Sequence, residues 1–118
     1  MRGARLWFRL EVAGHAVPFY VVKPGHAWLK ESEGSTYDGI YDPEEGRVVI
    51  AQGPVPVMKE TAIHEAFHVW FEKSGVTHTV MGGSSDKEEK LIRTLTPHIY
   101  GSLTSSRMLR LPNPPRLP

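Results

Sequence analysis

Between residues 47 and 57 the hydrophobic pattern changes its period, and that change constrains the fold more than any other feature of the 118-residue chain. Arg47-Val48-Val49-Ile50-Ala51 is a β-branched run of strand length, whereas the stretch from about Val57 to Ser74 repeats its apolar residues at helical spacing. Gln52-Gly53-Pro54-Val55-Pro56 separates the two. Proline breaks a strand and is tolerated at a first helical turn, whose N–H groups have no intrahelical partner. Strand signals before this point and helix signals after it predict an α+β fold, with an N-terminal antiparallel sheet packed on the helix.

The strand signals begin near the N-terminus. Leu6 to Val12 alternates from Phe8, Ala13-Gly14-His15 reads as a turn, and Ala16 to Val22 reads as a second strand closed by Pro24-Gly25. Pro18 denies that strand a ladder hydrogen bond, so it should lie at an edge or begin after the proline. Ala27 to Ser35 is polar and weakly patterned. Tyr37 to Asp42 then leads through Pro43-Glu44-Glu45-Gly46 into Arg47–Ala51, a hairpin whose second strand should be buried.

In the predicted helix over 57–74, Ile63, Ala66, Phe67 and Trp70 form an apolar stripe, Ala62 and Val69 widen it, and Gly75 is a natural C-cap. The remaining face carries His64 and His68 of the run His64-Glu65-Ala66-Phe67-His68, an HExxH motif, with Phe71 beside them. Residues four apart sit one turn apart on a single face, so His64 and His68 can direct two imidazoles at one Zn²⁺. Glu65 points about 100° around the axis, where its carboxylate can reach a zinc-activated water in place of the metal. The motif therefore separates ligands from a general base.

A catalytic zinc needs a third protein ligand. Val76 to Asp86 reads as a flexible loop bordering a cleft, and a second helix should start near Ser85 or Asp86, with either as N-cap. It passes through Leu91, Ile92 and Leu95, meets Pro97, and resumes through Ile99, Tyr100 and Leu103 after a kink or a new first turn. Glu88 and Glu89 stand at its start, and their spacing to Ile92 and Leu95 leaves both open as the ligand. An acidic first turn also complements the helix dipole without any metal. His78 and His98 are other possible third ligands, and with Tyr100 they are candidates to stabilise an oxyanion. Glu72 could orient an imidazole or pair with Lys73 on the surface. Asp38 to Asp42 is a candidate edge strand for an extended peptide.

Composition bounds the rest. The length suits one domain, expected over 1–108, and the four prolines between Leu109 and Pro118 predict an exposed, flexible tail. Fourteen basic and 13 acidic residues nearly cancel, so no field for nucleic acid is expected. Cysteine is absent, which excludes disulfides and thiolate ligands and leaves histidine and carboxylate for any metal site. The N-terminal residues lack a signal-peptide pattern and no run is long enough to span a bilayer, so a cytoplasmic chain without membrane association is expected.

The run Thr61-Ala62-Ile63-His64-Glu65-Ala66-Phe67-His68-Val69, preceded by Gly39-Ile40-Tyr41-Asp42 and Val48-Val49-Ile50, resembles small zincin-like metallopeptidases. These are the minimal-gluzincin domains related to the ImmA/IrrE group and often carried by phages. The resemblance spans roughly Tyr37 to Leu103. It implies a zinc metallopeptidase acting on a peptide or protein substrate, with His64, His68 and Glu89 as ligands and Glu65 as base. Glu89 is favoured over Glu88 because the group's glutamate ligand precedes apolar helix positions by three and six, here Ile92 and Leu95. The chain departs from better-known members at Phe67, where many have glycine, and at Leu91-Ile92-Arg93, where an Ala-Asn run is usual. A zinc-stabilised structural or binding protein without turnover is the alternative expectation.

Overall fold

The structure is a computed structural model that describes residues 3–29, 38–105 and 111–118. The polar stretch from residue 30, the start of the third strand's approach and the expected domain boundary near residue 108 lie outside the described residues. Strands β1 (Ala4–Val12), β2 (His15–Val22), β3 (Gly39–Asp42) and β4 (Arg47–Ala51) precede helices α1 (Val55–Ser74), α2 (Val76–Thr79) and α3 (Ser85–Ser105). The class is α+β, as the change of period predicts. No helix among the described residues is long and apolar enough to cross a membrane.

The strands form one sheet in the order β1-β2-β4-β3. β1 and β2 join through Ala13 and Gly14, both at positive φ, which gives the turn a twist that suits a tight hairpin. β3 and β4 form the expected second hairpin. The expected antiparallel sheet is corrected to a mixed one, because β2 and β4 pair in parallel, Phe19 with Val48 through Val22 with Ala51. A parallel pair needs a long connection, and the chain between Val22 and Arg47 supplies it, including β3 and a 3-10 turn at Ala27–Leu29.

β2 is therefore an internal strand that contains Pro18, contrary to the edge position expected. Pairing with β4 starts at Phe19, so Pro18 is bonded only on the β1 side and its missing N–H interrupts no second ladder.

Both faces of the sheet are covered. Val48 and Ile50 face Met58, Ala62, Ala66 and Val69 of α1, while Val49 packs with Val22 and Leu29 on the opposite face. Cover on both sides is why β4 reads as a continuous apolar run. A register shift between Leu6 and Phe8 marks Trp7 as the extra residue of a bulge, which turns its indole into the α1-side core.

That indole corrects the expectation of an exposed tail. Trp7 Nε1 donates to the Pro112 carbonyl at 2.9 Å, and Leu111 and Leu117 pack against the core. Residues 111–118 form no helix or strand, yet they are attached.

α1 begins two residues before the expected start, with prolines at its first turn, and ends at Gly75 in the left-handed region. The expected loop over 76–86 is shorter, because α2 supplies a helical turn in which Thr79 Oγ1 donates to the Gly75 carbonyl at 2.9 Å. Ser84 caps α3 in place of Ser85 or Asp86, its Oγ accepting from the Lys87 N–H at 3.2 Å. α3 then runs unbroken through Pro97. Arg93 and Pro97 are both exposed, so the carbonyl that Pro97 leaves without its helical partner lies on the solvent side. Ile63 and Phe67 of α1 meet Ile92 of α3, with Tyr100 packed against them.

Candidate metal centre

Two packed sides of α1 and one open side position the site. Met58, Ala62, Ala66 and Val69 fasten one side to the sheet, Ile63 and Phe67 of the expected stripe fasten another to α3, and the third side faces an open cleft of about 900 Å³. His64, Glu65 and His68 line that cleft, joined by Glu88 and Glu89 from α3 and by Gly39 to Tyr41 from β3. Trp70, expected in the buried stripe, is 37% exposed and stacks edge-on against Phe67 at 5.3 Å.

The two imidazoles lie 5.2 Å apart, centroid to centroid. Glu89 reaches both: Oε1 is 2.9 Å from His64 Nε2 and Oε2 is 2.8 Å from His68 Nε2. One ligand atom from each of His64, His68 and Glu89 falls within 4.8 Å of the others, a group that could hold a metal ion. The donors suit zinc, whose bonds of about 2.0–2.1 Å to histidine nitrogen and carboxylate oxygen set ligand separations of roughly 3.3 Å in a tetrahedron. The carboxylate would have to draw back only slightly from the two rings. Arg93, one turn after Glu89, donates from Nε to Glu89 Oε1 at 3.0 Å.

Glu88 lies elsewhere. One helical position from Glu89, it points to the far side of His68, where Oε1 lies 2.5 Å from Nδ1 and Oε2 accepts from Thr77 Oγ1 at 2.8 Å. The two glutamates that spacing left equivalent thus contact opposite nitrogens of the same ring.

Glu65 is only 6% exposed. Burial pushes its carboxyl up to about 7, against the pull of the His68 charge and a hydrogen bond from the Tyr41 backbone N–H. His64 is lowered, by burial first and by His68 in the same direction, against the attraction of Glu89; it is held toward the neutral form a metal requires. For Glu89 burial acts upward, but the Arg93 hydrogen bond and the two histidines outweigh it and lower its pKa. A Glu89 carboxylate kept charged beside a His64 imidazole held toward neutrality suits a metal-binding set.

Three of the remaining candidates stand apart from the cleft, whereas Glu72 lines it. His78 and His98 are exposed and Tyr100 packs in the α1–α3 core, and none of the three lines the cleft. Glu72 accepts from Tyr41 Oη at 2.8 Å and lies 3.6 Å from Lys73 Nζ. Burial first, and then Glu72, raises the Tyr41 phenol above its ordinary value.

Sequence reasoning missed Thr77 and Arg93 as members of the site, and it took Tyr41 only as part of a candidate peptide-binding strand. Arg93 had a signal, its i+4 spacing from Glu89; Thr77 had none, because its contact depends on how α2 folds back on α3.

Comparison of the chain with protein-family models, with curated proteins and with solved structures gave no match.

Proposed function

We propose that this domain is a zinc-dependent metallopeptidase of zincin-like type, with His64, His68 and Glu89 as ligands and Glu65 as general base. The observation that carries the reading is the convergence of His64 Nε2, His68 Nε2 and both Glu89 oxygens at the wall of an open cleft, beside a buried carboxylate. Zinc bound there would act as a Lewis acid and lower the pKa of a coordinated water toward about 7.

The chain's own groups supply the rest. Glu65 accepts a proton at its carboxylate and returns it to the leaving amine, work suited to a base whose conjugate acid lies near neutral pH. The Tyr41 N–H holds that carboxylate in place. Among the described residues β3 is an edge of the sheet and borders the cleft, so its outer side can pair with an extended peptide and present a carbonyl to the site.

One observation favours the reading without turnover: His78, His98 and Tyr100, the expected oxyanion partners, stand outside the cleft. A metal-stabilised binding protein needs no such partner.

Glu65→Gln separates the two readings. Peptide hydrolysis by the zinc-loaded wild type, lost in Glu65→Gln with zinc retained and lost together with zinc in His64→Ala, supports the peptidase. Hydrolysis at the wild-type rate in zinc-loaded Glu65→Gln overturns the mechanism, and zinc binding without any hydrolysis leaves the binding-protein reading.

A further inference from the structure

We infer that Glu88, clamped by Thr77, is a positioning residue that sets the orientation and tautomer of His68 for metal binding. The inference rests on the zinc reading of His64, His68 and Glu89 and assigns a role to the acidic residue that reading leaves over.

Both oxygens of Glu88 are engaged, one by His68 Nδ1 and one by Thr77 Oγ1. The contacts join three elements, since His68 is on α1, Thr77 on α2 and Glu88 on α3. The Glu88 side chain is 13% exposed and that of His68 19%, so water competes weakly for either group. Nδ1 and Nε2 point to opposite sides of an imidazole. A carboxylate on Nδ1 therefore cannot reach whatever Nε2 faces, which for His68 is Glu89 at 2.8 Å.

An ionised carboxylate only accepts, so the Glu88 contact places a hydrogen on Nδ1; Nε2 faces the Glu89 carboxylate, and its lone pair is available once Nε2 and Glu89 turn to one shared metal ion. Free histidine favours the reverse tautomer. Glu88 thus holds in advance the ring orientation that ligation needs. Thr77 has a distinct part. By holding Oε2 it stops the carboxylate from rotating towards Glu89, where a fourth protein ligand would fill the position a water needs.

The test is zinc affinity by competition with a chromophoric chelator, with the melting temperature of the metal-free protein as a fold control. Glu88→Ala should bind one zinc ten- to a hundredfold more weakly than wild type. Thr77→Val should weaken binding severalfold and Thr77→Ser should restore it, while Glu89→Ala should bind no zinc. In zinc-loaded wild type, nitrogen-15 NMR should record a hydrogen-bonded His68 Nδ1–H that exchanges slowly, and Glu88→Ala should lose that signal.

Wild-type affinity in a folded Glu88→Ala overturns the inference while the zinc site stands. Complete loss of zinc in Glu88→Ala, matching Glu89→Ala, also overturns it and makes Glu88 a ligand. A wild-type chain that takes up no zinc overturns the site reading, and this inference with it.

Discussion

Gly39 and Thr61 approach so closely that a β-carbon added to Gly39 would stand 2.6 Å from Thr61 Cγ2, with Ile50 Cδ1 at 3.1 Å and Glu65 Cγ at 3.4 Å. The missing side chain lets the edge strand β3 lie directly on the helix that carries the site. It also brings the Tyr41 N–H within reach of the Glu65 carboxylate.

Gly39→Ala should therefore overpack the β3–α1 contact and cost about 1–3 kcal/mol of stability, with β3 displaced from the cleft. Urea unfolding of the two proteins measures the cost. Equal midpoints would mean that the strand and helix can separate freely at this point.

Glu65 predicts an unusual pH dependence. Its folded pKa of about 7 stands above the ordinary carboxylate value of 4.5, so the folded state holds the proton more tightly. The stabilising contribution is complete below about pH 4.5 and is lost as pH rises to 7. The metal-free protein should lose up to about 3 kcal/mol from this group across that window. Glu89 and His64, both lowered, act in the opposite direction as pH falls. The difference between wild type and Glu65→Gln isolates the effect: Glu65→Gln should gain in relative stability as pH rises from 4.5 to 7, in chelator-treated protein followed by circular dichroism. A constant difference would place the Glu65 pKa near its ordinary value.

The C-terminal residues should behave as part of the fold. Deleting 111–118 removes Leu111 and Leu117 from the core and takes the acceptor from Trp7 Nε1. A loss of about 2–4 kcal/mol is expected, and Trp7→Phe should account for about 1 kcal/mol of hydrogen bond within it. Melting temperatures of the three proteins check both; an unchanged value for the truncated chain would show that the tail adds nothing.

Much of this was legible in the residues because period and punctuation act locally. The β1–β2 and β3–β4 hairpins, the helix that carries HExxH and the position of Glu88 and Glu89 at the start of α3 all follow from spacing, turn residues and proline. The parallel pairing of β2 with β4 did not, since it is decided by which strand a long connection returns beside. Pro18 misled for the same reason: its missing donor matters only where a second strand pairs, and β4 stops short of it. The packing of Leu111 and Leu117 was hidden because a proline-rich composition describes the backbone and not where two leucines will land. Spacing also left Glu88 and Glu89 equivalent, and only the approach of α3 to His68 sends them to different nitrogens.

Zinc stoichiometry tests the central claim most directly. After zinc-supplemented expression and removal of loosely held metal, elemental analysis should find about one zinc per chain in wild type and in Glu65→Gln, and none in Glu89→Ala. No zinc in the wild type, or an unchanged zinc content in Glu89→Ala, would contradict the site.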